Sequence, residues 1–313
     1  MGRGLPPSVD FLRKKLSSKI KTKIVNHMAR NHIKKLMKNK QLIIKETIGM
    51  ENFLKLEHEA AIITCNHFNA FDNFAVYKVL ENHIKKNELY KVTREGNFRY
   101  PGIYGVFFRN CNTLAISSNL KTMKLFLDAI KELLKRKEKI LIYSEQGMWW
   151  NYRKPRPPVT GAYKFAVANN VPVIPMFITM NDSELIGADG FPIQEYTVHI
   201  LPAIYPKEGL SSKENTEYMR NKNYEMWKEA SLSGVNNALE AVSREIDTFN
   251  KELELDDTKG IERDETDYTT LINNENKAIS INEDKIETLK KKQQKLLANG
   301  GSTDSTIYKE LQS

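Results

Sequence analysis

The sequence has little of what disulfide-stapled or membrane-spanning proteins need. Only two of its 313 residues are cysteines, Cys65 and Cys111, which is too few for a disulfide framework, and we expect a reducing, cytoplasmic setting. No apolar run approaches the ~20 residues of a membrane-spanning helix. The N-terminus also lacks the apolar core of a signal peptide. The sequence thus predicts a protein that does not cross a membrane.

Acidic residues are almost absent from the first 40 positions, which hold twelve Lys or Arg against one acid, Asp10. The net charge of the whole chain is +9, which is smaller than the excess of Lys and Arg over acids in these 40 positions, so the basic character belongs to this arm. Apolar residues recur there every four positions (Leu12, Leu16, Ile20, Ile24, Met28), which predicts one or two amphipathic helices over 10–38. Such a basic arm suits an anionic membrane surface or nucleic acid. The alternative is an ordinary helix packed on the domain with a solvated basic face.

Short apolar runs alternate with helical patterns between residues 41 and 250. We predict strands at 60–65, 140–144, 173–179 and 197–201, and helices at 71–85, 120–135, 161–169 and 216–250. This alternation predicts an α/β domain with a mainly parallel, mixed sheet flanked by helices. An acidic linker is expected at 251–270. A weak helical or coiled-coil segment suited to self-association follows at 271–298, and a disordered tail at 299–313.

A histidine and an aspartate lie five residues apart directly after the strand predicted at 60–65, in Asn66-His67-Phe68-Asn69-Ala70-Phe71-Asp72. The strand fixes His67 at a sheet edge, and a turn through Asn69 brings Asp72 back within hydrogen-bond reach. A carboxylate there sets the imidazole tautomer and stabilises the cation formed on proton uptake. The pair is a candidate general base with its orienting group, although such a spacing also arises by chance.

Further motifs follow in a fixed order. Tyr143-Ser144-Glu145-Gln146-Gly147 comes after a second buried strand, and a basic, proline-rich loop at 151–158 comes next. Two more segments follow this loop. The first is 160–166, which contains Gly161-Ala162, and the second is Val171-Pro172-Val173-Ile174-Pro175. Together with residues 66–72, and with Arg94-Glu95 before Pro101-Gly102, this order resembles the glycerolipid (lysophospholipid) acyltransferase superfamily, of the 1-acyl-glycerol-3-phosphate acyltransferase type.

The resemblance implies roles for individual residues. His67 would be the general base and Asp72 its orienting carboxylate, with Glu145 and Gly147 holding the acceptor. Val171, Pro172 and Pro175 would wall the acyl pocket, although two prolines also mark the end or edge of a strand. No metal site is expected, because His67, Asp72 and Glu145 lack a second histidine at ligand spacing.

The sequence departs from the family pattern where an acceptor phosphate would be gripped. Glycine after the glutamate is replaced by Gln146, and the following Thr-Arg pair by Gly147-Met148. Another family arginine corresponds either to Arg109 or to the position of Ser118. Candidate replacements are Arg94, Arg153, Lys154 and Arg156, since a guanidinium can bind a phosphate with two parallel hydrogen bonds. A solvated surface loop is the alternative for the 153–156 cluster.

The expected activity is therefore transfer of a fatty acyl group from acyl carrier protein or coenzyme A to a lysophosphatidic-acid-like hydroxyl. Neither donor is a bound cofactor. The protein would lie on the inner face of the cell membrane, with Trp149 and Trp150 at the interface or, alternatively, in the core. Two alternatives remain. One is the same chemistry on a glycolipid or secondary-metabolite hydroxyl. The other is an inactive protein that binds a membrane or nucleic acid, although we do not expect a nucleic-acid partner.

Overall fold

A computed structural model describes residues 9–84 and 89–257, together with six single positions beyond them (Lys277, Ser280, Asp284, Glu287, Thr288 and Lys291). The chain divides into two compact units, Met1–Lys228 and Glu229–Ser313. The first unit contains the sheet and the candidate site. In the second, the described residues include an ion pair one helical turn apart between Glu287 and Lys291, 2.6 Å long.

Seven strands form one sheet. They are β1 (Ile43–Ile48), β2 (Ala61–Thr64), β3 (Leu89–Arg94), β4 (Thr113–Ile116), β5 (Lys139–Ile142), β6 (Val173–Ile186) and β7 (Pro192–Ile200). Their order across the sheet is β1-β7-β6-β2-β5-β3-β4. All neighbours are parallel except β6 and β7, which form an antiparallel pair. The predicted α/β fold with a mainly parallel, mixed sheet is therefore confirmed.

Helices surround this sheet. They are α1 (Leu16–Lys38), α2 (Met50–Leu54), α3 (Asp72–Leu80), α4 (Gly102–Asn110), α5 (Leu120–Lys135), α6 (Gly161–Ala168) and α7 (Ser212–Asp257), with a 3-10 turn at Glu95–Arg99. The central strands are buried on both faces because alternate residues enter different cores. Ile63 of β2 belongs to one apolar cluster, and its neighbour Ile62 belongs to the other, with Phe126 and Leu133 of α5. Burial on both faces is what a parallel sheet between two helical layers requires.

Several predicted boundaries shift. The helix predicted over 71–85 ends at Leu80, since residues 81–84 form a turn. The strands predicted at 173–179 and 197–201 are longer, because β6 and β7 continue past the core as a hairpin whose residues are exposed around Glu184. The helix predicted at 216–250 extends from Ser212 to Asp257.

The C-terminal predictions are only partly covered by the structure. Residues 251–257 are helical, so the predicted start of the acidic linker at 251 is wrong, because the apolar and charged pattern of α7 continues through it. Residues 258–270 of that linker, most of the segment 271–298 and the tail 299–313 lie outside the described residues. Among the described helices, none is long and apolar enough to cross a membrane.

Within residues 9–40, the described part of the N-terminal arm, there is one helix, α1, whose predicted apolar stripe faces outward. Its inner face buries Thr22, Val25, Ile33 and Leu36. The predicted stripe is instead largely exposed, at 73% for Leu16, 51% for Ile20, 56% for Ile24 and 41% for Met28. The domain thus packs against a different face of α1 and leaves the four-residue stripe beside the lysines.

Candidate active site

His67 and Asp72 meet at the carboxyl edge of β2. The strand ends at Thr64, the chain turns, and Asp72 is the first residue of α3. His67 Nδ1 lies 2.7 Å from Asp72 Oδ2. The same carboxylate oxygen accepts the backbone N–H groups of Phe68, at 3.1 Å, and Asn69, at 3.3 Å. The expected hydrogen bond between imidazole and carboxylate is therefore present, in a loop that the carboxylate itself helps to shape.

The turn between the two residues depends on Asn69. Its side-chain oxygen accepts hydrogen bonds from the N–H groups of Phe71, at 2.8 Å, and Asp72, at 3.1 Å. Its amide nitrogen donates to the hydroxyl of Tyr196, at 2.5 Å. An asparagine that bonds to the backbone two and three residues on is a common turn device, and here it directs the chain into α3.

The two members of the pair differ in exposure. The Asp72 side chain is fully buried, whereas that of His67 is 26% exposed. Among residues 9–84 and 89–257, no side chain or backbone group forms a hydrogen bond with His67 Nε2. A proton on Nδ1 would be donated to the buried carboxylate, and Nε2 of that tautomer would be able to accept a proton from a ligand.

Tyr143 is a third member of the group that the sequence did not reveal. It follows β5, the strand beside β2, and its hydroxyl donates to Asp72 Oδ1 at 2.8 Å. Its ring stacks on the His67 imidazole, with 4.2 Å between ring centroids and 22° between planes. The feature of the sequence that could have identified Tyr143 is its position directly before Ser144-Glu145, at the end of a buried strand.

Glu145 joins the loop after β5 to the loop after β2. One carboxylate oxygen accepts the backbone N–H of His67, at 3.1 Å, and the other accepts that of Arg156, at 2.9 Å. The residue is 5% exposed. Burial raises the pKa of Glu145 to about 7, against the two N–H groups that favour its charged form.

Backbone hydrogen bonds complete this junction. The N–H of Trp149 donates to the carbonyl of His67 at 3.1 Å, and that of Asn151 donates to the carbonyl of Phe68 at 2.8 Å. The segments around His67 and around 145–151 therefore form one bonded substructure. Trp149 and Trp150 are 40% and 47% exposed, so the alternative of a core position for them is wrong.

Two of the predicted cations lie at this junction. Arg94 Nη2 donates to the carbonyl of Gln146 at 2.6 Å. Arg156 Nη1 donates to the carbonyl of Gly147 at 3.1 Å, and its guanidinium lies 4.1 Å from the centre of the Trp149 ring. Both guanidinium groups thus flank the turn that carries Glu145.

The other predicted cations lie elsewhere. Arg109 donates to the backbone carbonyl of Phe98 at 2.8 Å, within the packing between α4 and the preceding turn. Arg153 forms an ion pair with Asp182 of β6 at 2.5 Å. Lys154 is partly buried, which lowers its pKa. In the described part of the chain, the hydrogen bonds and ion pairs of these three residues do not include His67, Asp72 or Glu145, and their role in binding an acceptor stays a prediction.

The predicted acyl-pocket residues are interior residues of the sheet. Val173 pairs with Ile62 near the start of β2, so Val171 and Pro172 precede the amino edge, whereas His67 follows the carboxyl edge. Pro175 is buried and pairs with Thr64, the last residue of β2. Val171 and Pro172 are therefore buried near the other edge of the sheet from His67, because the strand direction separates them, and their role in an acyl pocket stays a prediction.

Within the described residues, no group of three or more His, Cys, Asp or Glu side chains could hold a metal ion. Cys65 lies close to the pair but is fully buried, and burial raises the pKa of its thiol well above the usual value. Such a thiol is not a nucleophile. The site thus offers a proton acceptor, its orienting carboxylate and two nearby cations.

Comparisons with known proteins give two findings. The family model described as Acyltransferase matches residues 45–179. A crystal structure of the 1-acyl-sn-glycerophosphate (LPA) acyltransferase PlsC from Thermotoga maritima is similar, with 19% sequence identity and a TM-score of 0.46, over 69% of this chain and 80% of that chain. No curated protein sequence matches this chain. The matched segment 45–179 contains His67, Asp72, Tyr143 and Glu145.

Proposed function

We propose that the protein, whose residues 45–179 match the family model described as Acyltransferase and whose motifs resemble those of the glycerolipid acyltransferase superfamily, transfers a fatty acyl group to a lysophosphatidic-acid-like hydroxyl at a membrane surface. The donor is a thioester of acyl carrier protein or coenzyme A. The observation that carries this proposal is the 2.7 Å pairing of a buried Asp72 with a partly exposed His67. This arrangement supplies a base to a bound hydroxyl.

The reaction follows from that geometry. The acceptor hydroxyl gives its proton to His67 Nε2 while its oxygen attacks the thioester carbonyl carbon. The tetrahedral intermediate then collapses, the C–S bond breaks, and the leaving thiolate takes the proton from the imidazolium. Asp72 holds Nδ1–H and stabilises the cation between these steps. Direct attack needs no protein nucleophile, in keeping with the buried, protonated thiol of Cys65.

Acceptor recognition rests on the turn at 145–147. Glu145 uses both oxygens on backbone N–H groups, so it holds the loops that place the acceptor. Arg94 and Arg156 flank the same turn and are the candidates to bind an acceptor phosphate, since guanidinium groups match its oxygens in pairs. Arg109, Arg153 and Lys154 have no part in this proposal.

The membrane surface is reached through α1 and the tryptophan loop. The exposed stripe from Leu16 to Met28 lies among exposed lysines, each of which adds about 1 kcal/mol on an anionic surface. Trp149 and Trp150, next to the site, suit the headgroup level. This supports a location on the inner face of the cell membrane, where an amphiphilic acceptor reaches His67 without leaving the bilayer.

The test is acyl transfer by the purified chain, with acyl-acyl carrier protein and acyl-coenzyme A as separate donors and lysophosphatidate as acceptor. His67→Ala is expected to lose about 10²–10⁴-fold in rate. His58→Ala serves as the matched control, because that side chain is 84% exposed and precedes β2, whereas the pair follows the other end of that strand. Absence of transfer with either donor, or transfer that His67→Ala leaves intact, would overturn the proposal.

A second acceptor class is favoured by one observation. Met148, at a position where the family has an arginine, is 44% exposed beside the site, and an apolar side chain there suits a less charged headgroup. The same base would then acylate a glycolipid or secondary-metabolite hydroxyl. Mass spectrometry of the products formed from a mixed panel of acceptors separates the two classes.

A further inference from the structure

We propose that Tyr143 is a positioning residue of the active site: its hydroxyl fixes the Asp72 carboxylate while its ring fixes the plane of the His67 imidazole. Its hydroxyl contacts Asp72 and its ring contacts His67. The inference rests on the proposed function only in taking His67 as the base. The contacts of Tyr143 with Asp72 and His67 are independent of the proposed function.

The hydroxyl acts on the one carboxylate oxygen that the loop does not hold. Asp72 Oδ2 accepts from His67 Nδ1 and from two backbone N–H groups. Asp72 Oδ1 accepts from Tyr143, the one donor to it among the described residues. Since Asp72 is fully buried, removing the hydroxyl leaves an oxygen without water or a partner. The carboxylate would then turn to recover a donor, and its bond to Nδ1 would change.

The ring acts on the imidazole directly. At 4.2 Å and 22°, the two rings are stacked, so Tyr143 covers one face of His67 and limits rotation of its ring. An aromatic face also favours the imidazolium over the neutral ring. The ring therefore supports the cation formed during the reaction, and the hydroxyl maintains the tautomer that precedes it.

Tyr143 keeps its proton in this role. Burial and the neighbouring Asp72 carboxylate raise the pKa of Tyr143 well above the usual value. The hydroxyl thus remains a donor at every pH at which the protein is folded. A phenylalanine would preserve the stacking and lose only this donor, which allows the two contributions to be separated.

The first measurement requires no substrate. In the full-length protein with ¹⁵N-labelled histidine, NMR shifts of the His67 ring nitrogens report which nitrogen carries the proton. The wild type is expected to hold it on Nδ1. Tyr143→Phe should move the ring toward a mixture of tautomers and lose the downfield Nδ1 proton signal. Tyr90→Phe is the control, because Tyr90 is a tyrosine of β3 that is buried in the other apolar cluster.

The second measurement is steady-state acyl transfer. Tyr143→Phe should lower kcat about tenfold with KM changed less than twofold, because the base is misoriented while binding is kept. Tyr143→Leu, which also removes the stacked ring, should lower kcat further. Tyr90→Phe should match the wild type in both parameters.

The two measurements separate the inference from the proposed function. An unchanged tautomer and Nδ1 proton signal in Tyr143→Phe overturn the positioning role, whatever the enzymatic result. A changed tautomer in a protein whose wild type transfers no acyl group supports the positioning role and removes the proposed function. A loss of thermal stability in Tyr143→Phe without either change would show a merely structural tyrosine.

Discussion

At the scale of single residues, Gln146 adopts a backbone conformation that disfavours a side chain. Its φ is +65°, in the left-handed region that glycine enters without penalty. It stands directly after Glu145, where the related family has glycine. The turn that directs the carboxylate toward His67 and Arg156 therefore holds a side chain in a conformation that glycine adopts more easily.

We expect Gln146→Gly to stabilise the protein by up to about 1 kcal/mol, because the strain of a Cβ at positive φ disappears, partly offset by the extra freedom of an unfolded glycine. Chemical denaturation measures the change. Gln146→Ala retains the Cβ and should give no gain. An equal gain in both variants would mean that the glutamine side chain, and not the backbone, causes the strain.

Glu145 should give the folding free energy a distinctive pH dependence. With a folded pKa of about 7, against 4.5 in the unfolded chain, the native state holds a proton that the unfolded state has lost between these values. Stability should therefore fall as pH rises from about 4.5 to 7, by up to about 1.4 kcal/mol per unit from this group. Urea unfolding of wild type and Glu145→Gln across this range isolates the contribution, and parallel curves would contradict it.

The sequence was sufficient to predict the hydrogen bond between His67 and Asp72, since a strand followed by a five-residue spacing leaves few geometries. It did not reveal Tyr143, whose role depends on β5 lying beside β2, a matter of strand order. Basic residues were harder still. A guanidinium on a long side chain reaches several partners, and only the fold distinguishes Arg156 at the site from Arg153, which pairs with Asp182 on the hairpin.

At the scale of elements, the contact between α4 and the preceding 3-10 turn depends on Gly105. A Cβ at this residue would lie 1.7 Å from the carbonyl oxygen of Tyr100. Backbone therefore packs directly on backbone, and no rotamer change relieves a larger residue. This contact fixes the chain segment that follows β3. Arg94, which lies near the candidate site, is the last residue of β3.

Gly105→Ala should destabilise the protein by about 1–3 kcal/mol or more, as overpacking against rigid backbone does. Gly96→Ala is the matched control, since a Cβ there meets nothing within 4 Å. Thermal unfolding of the two variants gives the comparison. Similar melting temperatures for both would show that α4 shifts freely and that the contact is not rigid.

Elements with a strong pattern were predicted and weakly patterned ones were not. The three apolar residues in each of β2 and β5 and the stripe of α5 follow from the sequence pattern alone. The strand β1 is at an edge, with Glu46 exposed and Lys45 paired to Glu195, so its sequence lacks a buried run. The outer part of β6, from Asn181 to Ile186, is largely exposed, so it lacks the regular alternation of apolar and polar residues that reveals a strand in a single sequence.

At the scale of the whole molecule, charge and apolar surface coincide on the N-terminal arm. The chain carries +9 in total, and the excess of positive charge is confined to the residues before 41. The helix α1 turns its buried face to the domain and leaves a second apolar stripe uncovered. A solvated basic face alone would not need that stripe, so this division of faces favours binding to lipid over simple packing.

Replacing Leu16, Ile20 and Ile24 together with glutamine should weaken binding to phosphatidylglycerol vesicles at least about tenfold, because their insertion supplies the apolar part of the affinity. Folding should be unaffected, since the three side chains are exposed. Vesicle sedimentation at two salt concentrations measures the effect. The control is Leu125→Gln with Leu127→Gln, on the exposed face of α5, and equal binding by both variants would contradict the role of α1.

The position of Asp72 has a consequence for how this protein could diverge over evolutionary time. The carboxylate accepts four hydrogen bonds and begins α3, so its loss would harm folding as well as chemistry. A descendant without catalytic activity would still be under selection to retain Asp72. His67, partly exposed and held mainly by Asp72 and Tyr143, carries no comparable folding burden. Among homologues, the histidine rather than the aspartate should therefore distinguish active enzymes from inactive relatives.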